Sequence, residues 1–423
     1  MTAFLTLPAA HRLTLANLKA PGWLLGRPES LAPLDLSIED GIITQGSGQT
    51  VDMKGAIAFP AFVDMHTHLD KGHIWPRSPN PDGTFMGALR TVAGDREARW
   101  RAEDVRARAD FALRCAFAHG AAAIRTHLDS IPPQDDISWP VFRELREDWA
   151  GRITLQAACL VPVDGVDADG AFAKTAATVA ASGGVLGCVT YPVPDLRERL
   201  RAFFALAERH GLHADFHVDE TLDPASATLR TIAETARETG FAGRIAVGHC
   251  CSLSAQPEAE ALATLDLVAE AGIDVVSLPL CNLYLQDRHA ARTPRMRGVT
   301  LVHEMKARGI NVSFASDNTR DPFYAYGDLD MIEVMREATR IAHLDHSDPD
   351  WSRAFTANPA KAMGLPAPSF TPGAPADLVI VRARSWTELF ARPQADRIVI
   401  RAGRAIDAPL PDYAELDHLM EAS

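Results

Sequence analysis

Eight short runs rich in Val and Ile recur between residues 60 and 320, and longer segments of helical period separate them. The runs are FVDMHTH (62–68), AAIRTHLD (122–129), ITLQAACLV (153–161), VLGCVTY (185–191), HADFHVD (213–219), RIAVGHC (244–250), DVVSLPL (274–280) and NVSFASD (311–317). Between them lie stretches such as AEDVRARADFALRCAFAHG, LRERLRAFFALAERHG, TLRTIAETARETG and EAEALATLDLVAEAG, each closing on a glycine suited to a C-terminal helix cap. Such alternation predicts βα units around a parallel sheet. Eight units in about 260 residues match an α/β chain built on a (β/α)8 TIM barrel, whose usual length is ~250 residues.

The flanks have another texture. Residues 12–59 hold LDLSIEDGIITQG and GAIAFP, and residues 373–406 hold GAPADLVIVRARS and ADRIVIRAGRAI, short strand-like pieces punctuated by Gly and Pro. Neither piece is large enough for a core of its own. The expectation is one small β-sandwich formed where the chain ends meet, residues 1–59 with 370–423, beside a barrel of residues 60–369. With 47% hydrophobic residues in a chain of 423, there is ample material for both cores.

Composition also narrows the partners. Acidic side chains outnumber basic ones 55 to 42, the net charge is −13, and no basic stripe interrupts the balance, which argues against nucleic acid. No segment offers about 18 uncharged apolar residues, and the N-terminus lacks a basic leader, so neither a membrane nor export is expected. Six scattered cysteines without a Cys-x-x-Cys pair suit a reducing, cytoplasmic setting.

Barrels of this kind carry their chemistry at the C-terminal ends of the strands. Run one ends in His66 and His68, which share a face in an extended chain, although two loop histidines would look the same. Run five brings His217 and Glu220, run six His249 and run eight Asp317. Histidine supplies only 15 of 423 residues, so its recurrence at this one rim points to a metal centre. Three imidazoles and a carboxylate suit one divalent metal ion, zinc or iron, with a position open for water, whose pKa such an ion brings to ~7. Run four contains no lysine to bridge a second ion. Glu220, just past a strand end, is read as the proton carrier, Asp317 as ligand and proton acceptor, and His249 as the group that holds the attacking oxygen. For His127 in RTHLD, a supporting role and substrate contact stay open; Lys71 and His73 are expected in a solvated loop at the mouth.

Taken in order, HTHLD, HVDE, GHC and ASDN on eight βα units resemble the amidohydrolase superfamily, and within it the cytosine deaminase and N-isopropylammelide amidohydrolase group. RTHLD, PLCNLYLQDR, RGVTLVHEMKARGINV and SDNTRDPF extend the likeness over nearly the whole chain. The resemblance implies His66, His68, His217 and Asp317 as metal ligands, Glu220 as proton shuttle, His249 as orienting residue, and a homo-oligomer as a possibility. Where cytosine deaminases carry a glutamine after strand three, Val163 stands here; Asn318 replaces a second carboxylate and Phe323 a tryptophan. Asn318, Phe323 and the HLDK start with Lys71 are similar to the triazine-degrading members, and Val163, Asn318 and Phe323 are the expected substrate contacts. The zinc deaminases of another fold need Pro-Cys-x-x-Cys, which is absent. The implied activity is hydrolytic deamination of a small amino-substituted N-heterocycle, cytosine or a close analogue. The alternative is removal of an N-alkylamine from an ammelide-type triazine, or opening of a cyclic amide.

Overall fold

The computed structural model describes residues 3–421. It begins with β1 (Arg12–Pro21), β2 (Leu31–Glu39), β3 (Ile42–Thr44), β4 (Gln49–Asp52) and β5 (Ile57–Pro60). All eight expected runs then form strands: β6 (Phe62–Thr67), β7 (Ala121–Asp129), β8 (Thr154–Leu160), β9 (Leu186–Thr190), β10 (Ala214–Val218), β11 (Ile245–His249), β12 (Asp274–Ser277) and β13 (Val312–Phe314). Every neighbouring pair is parallel, in a group β6–β7–β8 and a group β9–β13. Parallel bridges Ala158–Val185 and Pro162–Val189 join the groups at one seam, and Thr67–Asp317 joins them at the other. The ring is therefore closed. Covered on both faces, its strands are largely buried, as all six residues of β6 illustrate, polar Asp64, His66 and Thr67 included.

Helices α1 (Phe85–Arg99) and α2 (Ala102–His119) follow β6, and α3 (Asp135–Asp148), α4 (Ala171–Ala181), α5 (Leu196–His210), α6 (Thr228–Thr239) and α7 (Glu258–Glu270) follow the next five strands. The last two units carry α8 (Pro279–Leu285), α9 (Val302–Ala307), α10 (Met331–Ala342) and α11 (Ala357–Met363). Gly211 and Gly240 end α5 and α6 at φ +64° and +68°, a conformation only glycine adopts without cost. Among the described residues no helix is long and apolar enough to cross a membrane, and all six cysteines are free and buried.

The chain ends meet in one sheet. β14 (Leu378–Val381) pairs antiparallel with β5, and β15 (Ile398–Arg401) and β16 (Arg404–Ala405) extend the order to β16-β15-β14-β5-β1-β2-β3, with β4 on β1. Period-two alternation explains why LVIV is wholly buried: Leu378 and Ile380 join a small core with Leu15, Ile38 and Ile400, while Val379 and Val381 join the barrel's own. Helix α12 (Trp386–Ala391) sets Trp386 against Phe59, ring centres 6.0 Å apart and tilted by 47°. Beyond β16 the expected boundary needs correction, because the tail leaves the sheet for the barrel. Prolines 409 and 411 interrupt strand pairing, and Leu416, ahead of α13 (Asp417–Met420), packs on Phe111 and Cys115 of α2. Arg77 Nη1 donates to the Leu419 carbonyl at 3.1 Å, pinning that tail.

Candidate active site

Alternation along β6 turns His66, and His68 just beyond its end, into the ring, where His217 arrives from β10 and Asp317 from the segment after β13. Nε2 of His217 lies 3.1 Å from Nε2 of His66 and 3.2 Å from Nε2 of His68. Oδ1 of Asp317 is 3.2 Å from Nε2 of His68 and 3.7 Å from Nε2 of His66. An ion held tetrahedrally by bonds of ~2.0–2.1 Å spaces its ligands ~3.3 Å apart, so this donor set has metal-site dimensions. Burial drives His66, His68 and His217 well below the ordinary histidine range, leaving neutral lone pairs. Burial likewise raises the Asp317 carboxyl to about 8, and neither of its oxygens has a hydrogen-bond partner. A divalent cation would supply the positive charge and the partner that these converging atoms lack, and the set fits a metal site.

Support comes from beneath. The His127 ring lies 4.0 Å from that of His66, and its Nε2 is 3.0 Å from Oδ1 of Asp215, whose other oxygen accepts from Arg125 Nη1 at 2.8 Å. Gly248 leaves room for the cluster, since a Cβ there would stand 2.7 Å from Cε1 of His66. Asp219, His249, Cys250 and Asp317 all take left-handed φ values, +48°, +69°, +52° and +65°, strain that the packing around strand ends sustains. Asp219 is anchored by Ser226 Oγ, the amides of Thr228 and Leu229, and Thr228 Oγ, which fixes the turn that presents Glu220.

A cavity of about 800 Å³ opens over these groups. Glu220, His249, Asn318 and Phe323 line it, with Phe85, Met86 and Leu89 of α1 at its apolar side. Burial, then the nearby Asp317, raises the Glu220 carboxyl well above its ordinary value. Three expectations fail. Lys71 is no solvated loop residue: it is buried and lines the cavity, its Nζ 3.0 Å from Oδ1 of Asp129 and 5.6 Å from the Phe323 ring centre. His73 is buried against Phe111 at 4.9 Å, away from the cavity. Val163 is wholly buried in the core; β8 stops at Leu160 and the chain turns at Val163–Gly165, so Leu160, Val161 and Pro162 face the cavity instead.

Sequence reasoning missed Asp129, Arg96, Asn282 and Gln286. Asp129 ends β7 and the strand-end test would have found it. Arg96, whose Nη1 lies 2.8 Å from Oδ2 of Asp129, comes from α1, where no spacing marks it. Asn282 donates from Nδ2 to Nδ1 of His249 at 3.0 Å and to Oε1 of Glu220 at 3.3 Å, while Gln286 Nε2 donates to the Glu220 carbonyl at 3.1 Å.

Comparison with known proteins agrees with this geometry. The profile of the amidohydrolase family matches residues 49–136 and 149–406. A pterin deaminase of Rhizobium rhizogenes (strain K84) is 50% identical over 434 residues, covering 99% of each chain. The N-isopropylammelide isopropyl amidohydrolase of Pseudomonas sp. (strain ADP) is 24% identical, over 84% of this chain and 87% of its own. Among solved structures, 5-methylcytosine deaminase from Klebsiella pneumoniae liganded with 5-fluorocytosine superposes with a TM-score of 0.80 at 26% identity, covering 94% of this chain and 98% of that one. The chain belongs to the amidohydrolase family and is a hydrolase of carbon–nitrogen bonds outside peptides.

Proposed function

We propose that this enzyme is a metal-dependent hydrolytic deaminase of pterins, converting the amine-bearing carbon of the bicyclic ring to a carbonyl with release of ammonia. The observation that carries the reading is the 50% identity, over 99% of both chains, to a pterin deaminase. The cavity supports it: about 800 Å³ lies in the upper part of the ~300–1,000 Å³ range of small-molecule sites, ample for two fused rings. Both observations favour a pterin over cytosine. The buried thiols suit action in the cytoplasm.

His66, His68, His217 and Asp317 would hold the ion, zinc or iron. When bound, it supplies the Lewis acidity that makes water a usable nucleophile near neutral pH. The remaining work falls to the chain. His249 turns Nε2, which has no protein partner, toward the site and there holds the attacking oxygen. Asp317 takes the proton of the attacking water as the carbon–oxygen bond forms, and Glu220, protonated in its buried setting, donates to the adjacent ring nitrogen. Asp317 passes its proton to the amine, the carbon–nitrogen bond breaks, ammonia leaves, and Glu220 recovers its proton from the new hydroxyl. Lys71 offers a donor to a ring carbonyl, with Asn318 and Phe323 bounding the ring.

The test is ammonia release from zinc- and iron-loaded protein with pterin, cytosine, 5-methylcytosine and amino-triazines, assayed alongside alkylamine release. Pterin turnover well above the others is the expected result. Alkylamine from a substituted triazine, with pterin untouched, would replace this reading with the ammelide one.

A further inference from the structure

The groups read above as proton carrier and orienting residue, Glu220 and His249, converge on one buried side chain that none of that chemistry uses. We propose that Asn282 locks His249 as the tautomer protonated at Nε2, so that His249 meets the reacting oxygen as a hydrogen-bond donor and not as a base. Asn282 is thus a positioning residue, acting through His249 and Glu220. The inference rests on the roles given to those two residues and adds the proton's address.

An amide nitrogen carries two hydrogens and here it faces two acceptors, Nδ1 of His249 at 3.0 Å and Oε1 of Glu220 at 3.3 Å. A neutral imidazole has one proton, so an Nδ1 that accepts leaves that proton on Nε2. Nε2 of His249 is the ring atom without a protein partner, and the ring lines the cavity. Oε1 of Glu220 also lies 3.5 Å from Nδ1 of His249; in the mechanism above the proton that Glu220 gives the ring sits on its other oxygen, so Oε1 is an acceptor, and turning the amide over would set Oδ1 against it at 3.3 Å.

The backbone is arranged for the contact. Pro279 opens α8 directly after β12, and Asn282 and Gln286 stand one helical turn apart on the face toward Glu220. Gln286 holds the Glu220 carbonyl while Asn282 holds its carboxyl, so the residue is gripped at both ends. Asn282 is 1% exposed, too buried for water to substitute for the amide.

The proposal is tested by long-range ¹H–¹⁵N correlation on zinc-loaded protein labelled at histidine, with His249 identified by its absence in His249→Asn. Protonation at Nε2 is expected; protonation at Nδ1 overturns the proposal. Asn282→Asp is nearly isosteric but puts an acceptor against Nδ1. It should switch the tautomer and lower kcat about a hundredfold or more, with KM within about threefold and zinc content retained. An unchanged tautomer with unchanged kcat in that variant also overturns it. Should the variant fail to fold, the wild-type spectrum decides. Because that spectrum needs no substrate, failure to deaminate pterin would sink the proposed function and leave this inference standing.

Discussion

The backbone amide of Asp317 donates to the carbonyl oxygen of His66 across 2.9 Å. This bond belongs to the bridge that closes the ring between β13 and β6, and it joins the first and last members of the donor set. Ligand geometry is therefore tied to barrel closure, so metal removal should be felt in stability as well as in turnover. Chelation followed by dialysis should abolish activity and lower the unfolding free energy, by about 2.7 kcal/mol relative to a hundredfold excess of ion over its Kd. Calorimetry with and without zinc reads the difference; identical melting would mean that these residues bind no ion.

Gly248→Ala should weaken the ion without unfolding the barrel. The added methyl group would lie 2.7 Å from Cε1 of His66, and a central strand cannot yield by that much. A loss of about 10–100-fold in zinc affinity is expected by competition titration. Unaltered affinity would show that His66 has freedom the packing denies it.

Glu220→Gln preserves shape and removes the titrating proton. The variant should keep a full metal complement and lose about 10²–10⁴ in kcat. Wild-type turnover in a metal-loaded sample would remove Glu220 from the mechanism.

Lys71→Met leaves Asp129 buried but not alone, since Arg96 still contacts its other oxygen at 2.8 Å. The cost should therefore fall below the ~3–5 kcal/mol of stripping a buried charge of its partner, at about 2 kcal/mol, with a raised KM. Urea unfolding and steady-state kinetics check the two halves separately. A normal KM would take Lys71 out of substrate recognition.

Acid should weaken the link between barrel and flanking sheet. Burial alone would raise the Asp330 carboxyl, but Arg397, with both forks at 2.6 Å, and His119 hold it down to about 2. A folded pKa below the unfolded ~3.9 means that the native state binds fewer protons, so this stabilisation, about 2 kcal/mol, is complete above pH ~4 and lost as pH falls toward 2. Asp330→Asn keeps the cap on the Ile332 amide. Its deficit against wild type should shrink across that window in denaturant titrations; a deficit independent of pH would rule out the charge as its source.

Legibility followed regularity. Strands such as Asp274–Ser277 declare themselves by β-branched residues, and a period of two then turns His66 and His217 inward; His68 and Asp317, just past their strand ends, were readable because barrel chemistry collects at that rim. Past a strand end no period applies. Val163 was misplaced because the turn beginning there carries its side chain into the core, and Lys71 because a charged residue in a loop reads as solvated until Asp129 is brought beside it. Asn282 was hidden for another reason: its meaning lies in two partners 33 and 62 residues away, which only the closed ring assembles.

The pairing of β5 with β14 sets a timetable for synthesis. Pro60 leaves the ribosome roughly 320 residues before its partner Leu378. At ~5–20 residues per second, the apolar strand Ile57–Pro60 waits on the order of 15–60 seconds for the neighbour that covers its edge. Throughout that interval the nascent chain displays an unpaired hydrophobic edge, the kind of surface that recruits other chains or chaperones. The burden on the cell's folding machinery thus comes from pairings distant in sequence: the sheet where the two termini meet waits longest, and the ring's own closing edge, Thr67 to Asp317, adds to it.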